Sequence, residues 1–285
     1  MRDLLASPPE RGGGLNNWFY RVARVLHPYR ANDEISLLLQ AATAGERLKP
    51  GEIERAVERS RATAWRPGQP AAGVTVPAWP AVNQEQREAV IHAGKGLVDL
   101  WEVSPVRVED NDSHTEEIID RLFPGNPLLC VGRSKWDFET RSRKTLRGCL
   151  AKLQLIVPSP MSARTGHTQE GQESEHTLDN TGPRRFLVIE QDDGNADEQS
   201  AILLHLAETR APLVLAVHSG SKSIHGWFWA LGQPEDKLRT HMRYAVSLGA
   251  DRATWTRSQF VRMPGGTRDN GNPQTVYFFD PGVCQ

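Results

Sequence analysis

Three short segments in the second half of this 285-residue chain carry side chains suited to chemistry on a triphosphate. The first, FLVIEQDDG at 186–194, reads as a strand that leaves the core and ends in acids. Side chains alternate along a strand, so Glu190 and Asp192 share one face while Asp193 points to the other. Two carboxylates on one face can hold one or two hard divalent cations, Mg2+ or Mn2+, through oxygen. A metal pair about 3.5–4 Å apart suits in-line attack at phosphorus, because it stabilises both the entering and the leaving oxygen. The plainer alternative is a strand end with solvated acids.

The second segment is HSGSKSIHGWFW at 218–229. Ser223 and His225 sit two apart on a strand and project together, after a turn whose amides, with Lys222, could cradle a phosphate. The alternative for His225 is a core histidine with a satisfied hydrogen bond. His218, at a strand end without a companion at useful spacing, is read as structural. The third segment is LGADRATWTRSQFVRMPGG at 248–266. Asp251 follows a helix end and can face a site. Arg262 leaves a strand just before a Pro-Gly-Gly turn, where its guanidinium can reach a phosphate in bidentate fashion, or else form a surface ion pair.

The surrounding pattern predicts the elements that must position these groups. Residues 15–64 read as three short helices, with Asn32 capping the second and Pro50 opening the third. The segment 65–80, rich in Pro, Gly and Ala, is the linker candidate. A helix is expected at 83–94, a helix at 114–122 and a buried strand at 127–132. The polar, glycine-containing stretch 162–182 reads as a long loop. Beyond 183 come a strand, a helix over 196–209, strands at 212–218 and 223–231, and a helix from Pro234 that Gly249 stops. A short QFVRM strand and a final TVYFF strand complete the pattern. Strands alternate with helices but also meet in hairpins, which predicts an α+β fold. The expected organisation is a helical module at 1–66, a linker and connecting helix at 67–96, and a catalytic domain at 97–285.

Composition narrows the partners. Hydrophobic residues make up 38% and charged residues 24% of the chain, an ordinary globular balance. The net charge is −1, so a nucleic acid would be gripped in a local groove rather than along a broadly basic surface. The stretch 133–147 is the candidate for it: Arg133, Lys135, Arg141, Arg143 and Lys144 with Trp136 and Phe138 interleaved combine phosphate contacts with base stacking. Its alternative is a solvated helix face. Three widely spaced cysteines argue against a disulfide framework and against a paired-cysteine zinc site. With no long apolar run, no membrane contact is expected and a cytoplasmic location is the plain reading.

A strand ending in two alternate acids, then S-x-H on a strand, then a later aspartate, resembles the three motifs of the archaeo-eukaryotic primases. The closing Asp-x(10)-Arg-x-Pro-Gly, Asp251 to Gly265, is similar to the versions in primase-polymerases of plasmids, phages and mobile elements. The resemblance implies an RNA-recognition-motif-like core with an accessory α/β subdomain from about 97–182, preceded by the small helical domain. It implies catalytic metals on Glu190, Asp192 and Asp251, and nucleotide phosphates on Ser223 and His225, with Lys222 and Arg262 in support. The activity implied is template-directed joining of NTPs or dNTPs on single-stranded DNA, with unwinding left to a partner helicase. The chain departs from the family where Glu190 replaces the usual aspartate, and it lacks the cysteine cluster of a zinc stem. A non-catalytic replication-initiation or DNA-binding protein on the same scaffold is the competing expectation, and a metal-dependent nuclease a third.

Overall fold

The structure, a computed structural model, describes residues 14–46, 48–64, 78–93, 95–108 and 114–284, with Leu5, Pro8 and Pro9 besides. The chain separates into two compact units, Met1–Ala78 and Trp79–Gln285. In the first, α1 (Leu15–Leu26), α2 (Asn32–Ala42) and α3 (Glu52–Ser60) are the three helices expected from the periodicity. Helical spacing gathers Leu15, Phe19, Val22 and Leu26 of α1 on one face, against Ile35 and Leu39 of α2 and Ile53 and Val57 of α3. His27 closes the bundle, its Nε2 lying 2.8 Å from Ser60 Oγ and 3.1 Å from Val57 O. Most of the expected linker, residues 65–77, lies outside the described residues.

The second unit opens with α4 (Gln84–Ile91), α5 (Leu97–Glu102) and α6 (His114–Leu122). The helix expected as a connector belongs to this unit. Asn83 N donates to Ser247 O at 2.8 Å, and Arg87 pairs with Glu198 at 3.7 Å. The unit holds two four-stranded antiparallel sheets. One has the order β2 (Phe138–Ser142), β1 (Leu128–Gly132), β3 (Leu155–Ile156), β9 (Val261–Arg262). The other has the order β10 (Val276–Phe279), β7 (Leu213–His218), β8 (Ile224–Trp229), β6 (Phe186–Glu190). Helices α7 (Ala196–Thr209) and α8 (Glu235–Ser247) complete the unit. The architecture is mixed α+β with antiparallel sheets, the class the sequence pattern predicted; of the eight helices among the described residues, α5 was not expected.

The β10-β7-β8-β6 sheet, the long-stranded one beside the short-stranded β2-β1-β3-β9 sheet, is buried on both faces, which is why its strands read as apolar runs instead of alternating. Leu187, Ile189 and Phe228 pack with Ile202, Leu203 and Met242 on the helical side. Phe186, Val188, Val217 and Trp227 pack with Leu129, Ile156, Val261 and Met263 on the side of the short sheet. Gly226 lets α7 come close: a Cβ there would lie 2.5 Å from Leu203 Cδ2.

Two stretches are more built than the sequence pattern predicts. The basic segment forms the turn and second strand of the β1–β2 hairpin with its continuation, which sets aside the alternative of a solvated helix face; Thr140 and Phe138 turn inward while the charges flank them. The polar stretch 162–182 is a built loop holding a short hairpin, β4 (Gly166–His167) with β5 (Glu173–Ser174). Buried Asn180 organises it, donating from Nδ2 to Ala163 O, Arg164 O and Glu175 O while its Oδ1 accepts from Thr177 N.

On α8, His241 is 5% exposed, lies edge-on to Phe228, and its Nε2 has no partner. Burial, helped by the charge of Arg210, pushes its pKa down to about 4. The folded value lies below the unfolded one, so the unfolded chain binds the extra proton and stability falls as pH drops from about 6.5 toward 4. Between neutrality and pH 5 this histidine should cost about 2 kcal/mol. In His241→Leu, that part of the acid sensitivity should vanish from urea midpoints recorded at pH 7 and pH 5. An unchanged pH dependence would assign it elsewhere.

Candidate active site

The acids of β6 sit where the strand runs out of the long sheet. The β6–β8 register sets Glu190 opposite His225. On the other flank, Gln191 bridges Ala250 in antiparallel fashion and Asp251 N donates to Glu190 O at 2.8 Å. Asp251, Glu190 and His225 thus occupy one transverse row on three neighbouring segments, and directly opposed side chains share a face with Cβ atoms roughly 5 Å apart. Gly249 makes this possible. It ends α8 with φ of 103°, a conformation other residues adopt at a cost, and a Cβ there would press to 3.2 Å from Gln191 Oε1.

Within the row, Glu190 Oε1 is 3.2 Å from His225 Nε2 and accepts from Ser223 Oγ, also at 3.2 Å. A carboxylate only accepts, so Nε2 carries the proton. The other ring nitrogen, Nδ1, is buried without a protein partner. Burial acts on Glu190 most and pushes its pKa up. His225, the Ser223 hydroxyl and the Arg262 charge outweigh that push and leave it below the ordinary value. The site therefore stabilises a carboxylate anion that is already largely shielded from water.

The other expected residues are placed around this row. Asp192 is exposed and pairs with Lys222 at 3.4 Å. Asp251 Oδ1 accepts from Ala253 N at 3.0 Å, capping a short 3-10 turn over Arg252–Trp255. Arg262 donates to Gln154 Oε1 at 3.0 Å and lies near enough to Glu190 for each to act on the other's titration. The turn 219–222 is less of a phosphate cradle than its sequence suggested. Ser219 N donates to Ser223 O, Gly220 N to His218 Nδ1, and Ser223 N to Ser219 Oγ, so two of its amides and the one that follows it are committed. His218 fits the structural role read for it.

Arg143 does not offer itself to a ligand. It is 2% exposed, 2.6 Å from Glu116 Oε2 and 2.9 Å from Asp120 Oδ1, ion-pair contacts that tie β2 to α6. Arg141 is engaged by Glu139 at 3.2 Å and Glu175 at 2.9 Å. Arg133, Lys135, Trp136 and Lys144 are exposed.

Three contributors were invisible in the sequence. Arg268 donates to Ser219 O at 3.2 Å and its charge acts on Arg262, so it adds a cation beside the turn. Gln154 holds Arg262 in place. Gln199, fully buried on α7, shares its amide N–H groups among Gln191 O, Asp193 O, Gly194 O and Lys222 O while its Oε1 accepts from Ile224 N at 2.8 Å. One side chain thereby joins the loop after Glu190 to the strand that carries Ser223 and His225. A Gln three residues inside a helix carries no local signal for that task.

Among the described residues no three His, Cys, Asp or Glu side chains are gathered closely enough to hold a metal ion as they stand, and no helix is long and apolar enough to cross a membrane. The oxygen chemistry of Glu190, Asp192 and Asp251 fits a hard cation. Comparison with protein-family models, with curated proteins and with solved structures finds no match to this chain.

Proposed function

We propose that the second unit is a divalent-metal-dependent nucleotidyltransferase. More particularly, it is a template-directed primase-polymerase of the archaeo-eukaryotic primase kind, whose catalytic core and accessory subdomain correspond to the long and short sheets. The observation that carries this is the row of Asp251, Glu190 and His225, three residues far apart in the chain aligned on one face with Ser223 bonded to Glu190.

Glu190, Asp251 and, once released from Lys222, Asp192 would hold Mg2+ or Mn2+, which when bound supplies charge neutralisation at the attacking and leaving oxygens. The chain's own residues do the rest. Lys222, Arg262 and Arg268 surround the row with positive charge for a triphosphate. The Ser223 hydroxyl and the His225 ring, both buried, fix the Glu190 carboxylate from inside the fold. Arg262 is itself oriented by Gln154, so its fork is aimed before substrate arrives.

The test is incubation of the purified chain with single-stranded DNA, with and without a primer, NTPs or dNTPs, and manganese. Extended product that Asp251→Asn and Glu190→Ala abolish is the expected result. A second reading, a non-catalytic replication-initiation protein on this scaffold, draws on the Lys222–Asp192 pair and on the Glu190 carboxylate being engaged by protein groups. It predicts DNA binding that both substitutions leave intact, with no synthesis by any form.

A further inference from the structure

Trp136 is 92% exposed, yet the turn that carries it is rigidly made. Ser134 Oγ accepts from both Trp136 N at 3.1 Å and Asp137 N at 3.0 Å. Asp137 O in turn accepts from Arg133 N at 2.9 Å and Ser134 N at 3.2 Å. A hairpin turn that spends four hydrogen bonds to hold an indole in water presents that ring as a platform, because exposing it gains nothing in folding. Exposed Arg133 and Lys135 flank it, and a cleft of about 700 Å³ beside it is lined by Arg133, Asp137, Phe138, Arg141, Lys152 and Glu175.

The turn also stands in line with the candidate site. The register of the short sheet runs Phe138 to Gly132, Gly132 to Leu155, and Leu155 to Arg262, a single transverse row. Gln154 ties its ends together, its Nε2 donating to Arg133 O and its Oε1 accepting from Arg262. From Phe138 to Arg262 the row crosses three strand spacings, about 14 Å, with Trp136 in the turn just before Phe138.

We propose that Trp136 is a stacking platform for an unpaired base of single-stranded nucleic acid, at the β2 edge of the sheet whose other edge strand carries Arg262. The reach to Arg262 rests on the nucleotidyltransferase function; the stacking itself does not. The surroundings favour a nucleobase over a protein partner. Trp136 is the one large apolar side chain exposed on this sheet among the described residues, whereas a protein hot spot needs an apolar, water-excluding surround. A base needs only a π-face with cations nearby.

The experiment titrates the full chain into a fluorescein-labelled dT oligomer, without metal or nucleotides, over a series of salt concentrations. Trp136→Ala should weaken binding about 5- to 100-fold and leave the salt slope unchanged, since stacking releases no counterions. Trp136→Phe should retain most of the affinity, and Arg133→Ala with Lys135→Ala should flatten the slope. Equal affinity of Trp136→Ala and wild type, or no binding by wild type, overturns the platform. Glu190→Ala and Asp251→Asn should bind like wild type. Trp136-dependent binding without any synthesis would sink the enzyme and keep the platform; synthesis with binding indifferent to Trp136 would do the reverse.

Discussion

Asp251→Asn should lower manganese-dependent nucleotide incorporation about a thousandfold, equivalent to about 4 kcal/mol of barrier, while the fold stays intact. Asparagine keeps the side-chain oxygen that accepts from Ala253 N, and the backbone donor to Glu190 O is untouched. Only the negative charge is lost. Phosphoryl transfer leans on charge stabilisation and positioning rather than on covalent help from the protein, so a missing site charge acts on the chemical step itself. The measurement is single-turnover incorporation alongside thermal melting. Activity within tenfold of wild type, with unaltered melting, would remove Asp251 from the site. The companion change, Glu190→Asp, asks whether glutamate here is a degraded aspartate or a residue the site is built around. Shortening the side chain withdraws the carboxylate from Ser223 and His225, both 3.2 Å away. The structure therefore predicts lower activity for Glu190→Asp, and a gain would mean that the extra methylene is a handicap.

The parts of the site that were legible in the sequence are those where local pattern and global role coincide. FLVIEQDD announces its acids because an apolar run buried on both faces must end somewhere, and the polar residues at its end face solvent or a site. Ser223 and His225 project together because strand alternation is a property of the backbone. Asp251 could be placed only by order along the chain. Its delivery beside Glu190 depends on Gly249 turning the chain after α8 and on a single bridge between Gln191 and Ala250, and neither is encoded in a repeat. Arg143 shows the opposite limit. In a basic run it looks like a solvent-facing charge, and only the positions of Glu116 and Asp120, from a helix more than twenty residues earlier, bury it. The β2 strand was hidden for a related reason. FETRS mixes charges with one aromatic, and its inward residue, Thr140, is polar and satisfied by Glu175.

Gln199→Leu should destabilise the second unit by about 3 kcal/mol and lower its melting temperature by roughly 6–12 °C. Leucine fills similar space, so the loss falls on hydrogen bonds. Ile224 N, at the start of β8, is left without its acceptor in a buried setting, and the carbonyls of Gln191, Asp193, Gly194 and Lys222 lose a shared donor. A buried polar group left unmet costs about 1–3 kcal/mol, and two such sets are created at once. The effect should also reach function. The loop carrying Asp192 and the strand carrying Ser223 and His225 are joined through this amide, so kcat should fall at temperatures well below melting while oligonucleotide affinity holds. A purely structural role would leave kcat normal in the folded fraction. Gln199→Glu sharpens the test: it keeps an acceptor for Ile224 N but turns an oxygen toward the four carbonyls. It should therefore be no better than leucine at neutral pH and should recover partly at acid pH, where a protonated carboxyl can donate. Melting within 2 °C of wild type, with kcat unchanged, would show that the two segments hold their places without Gln199.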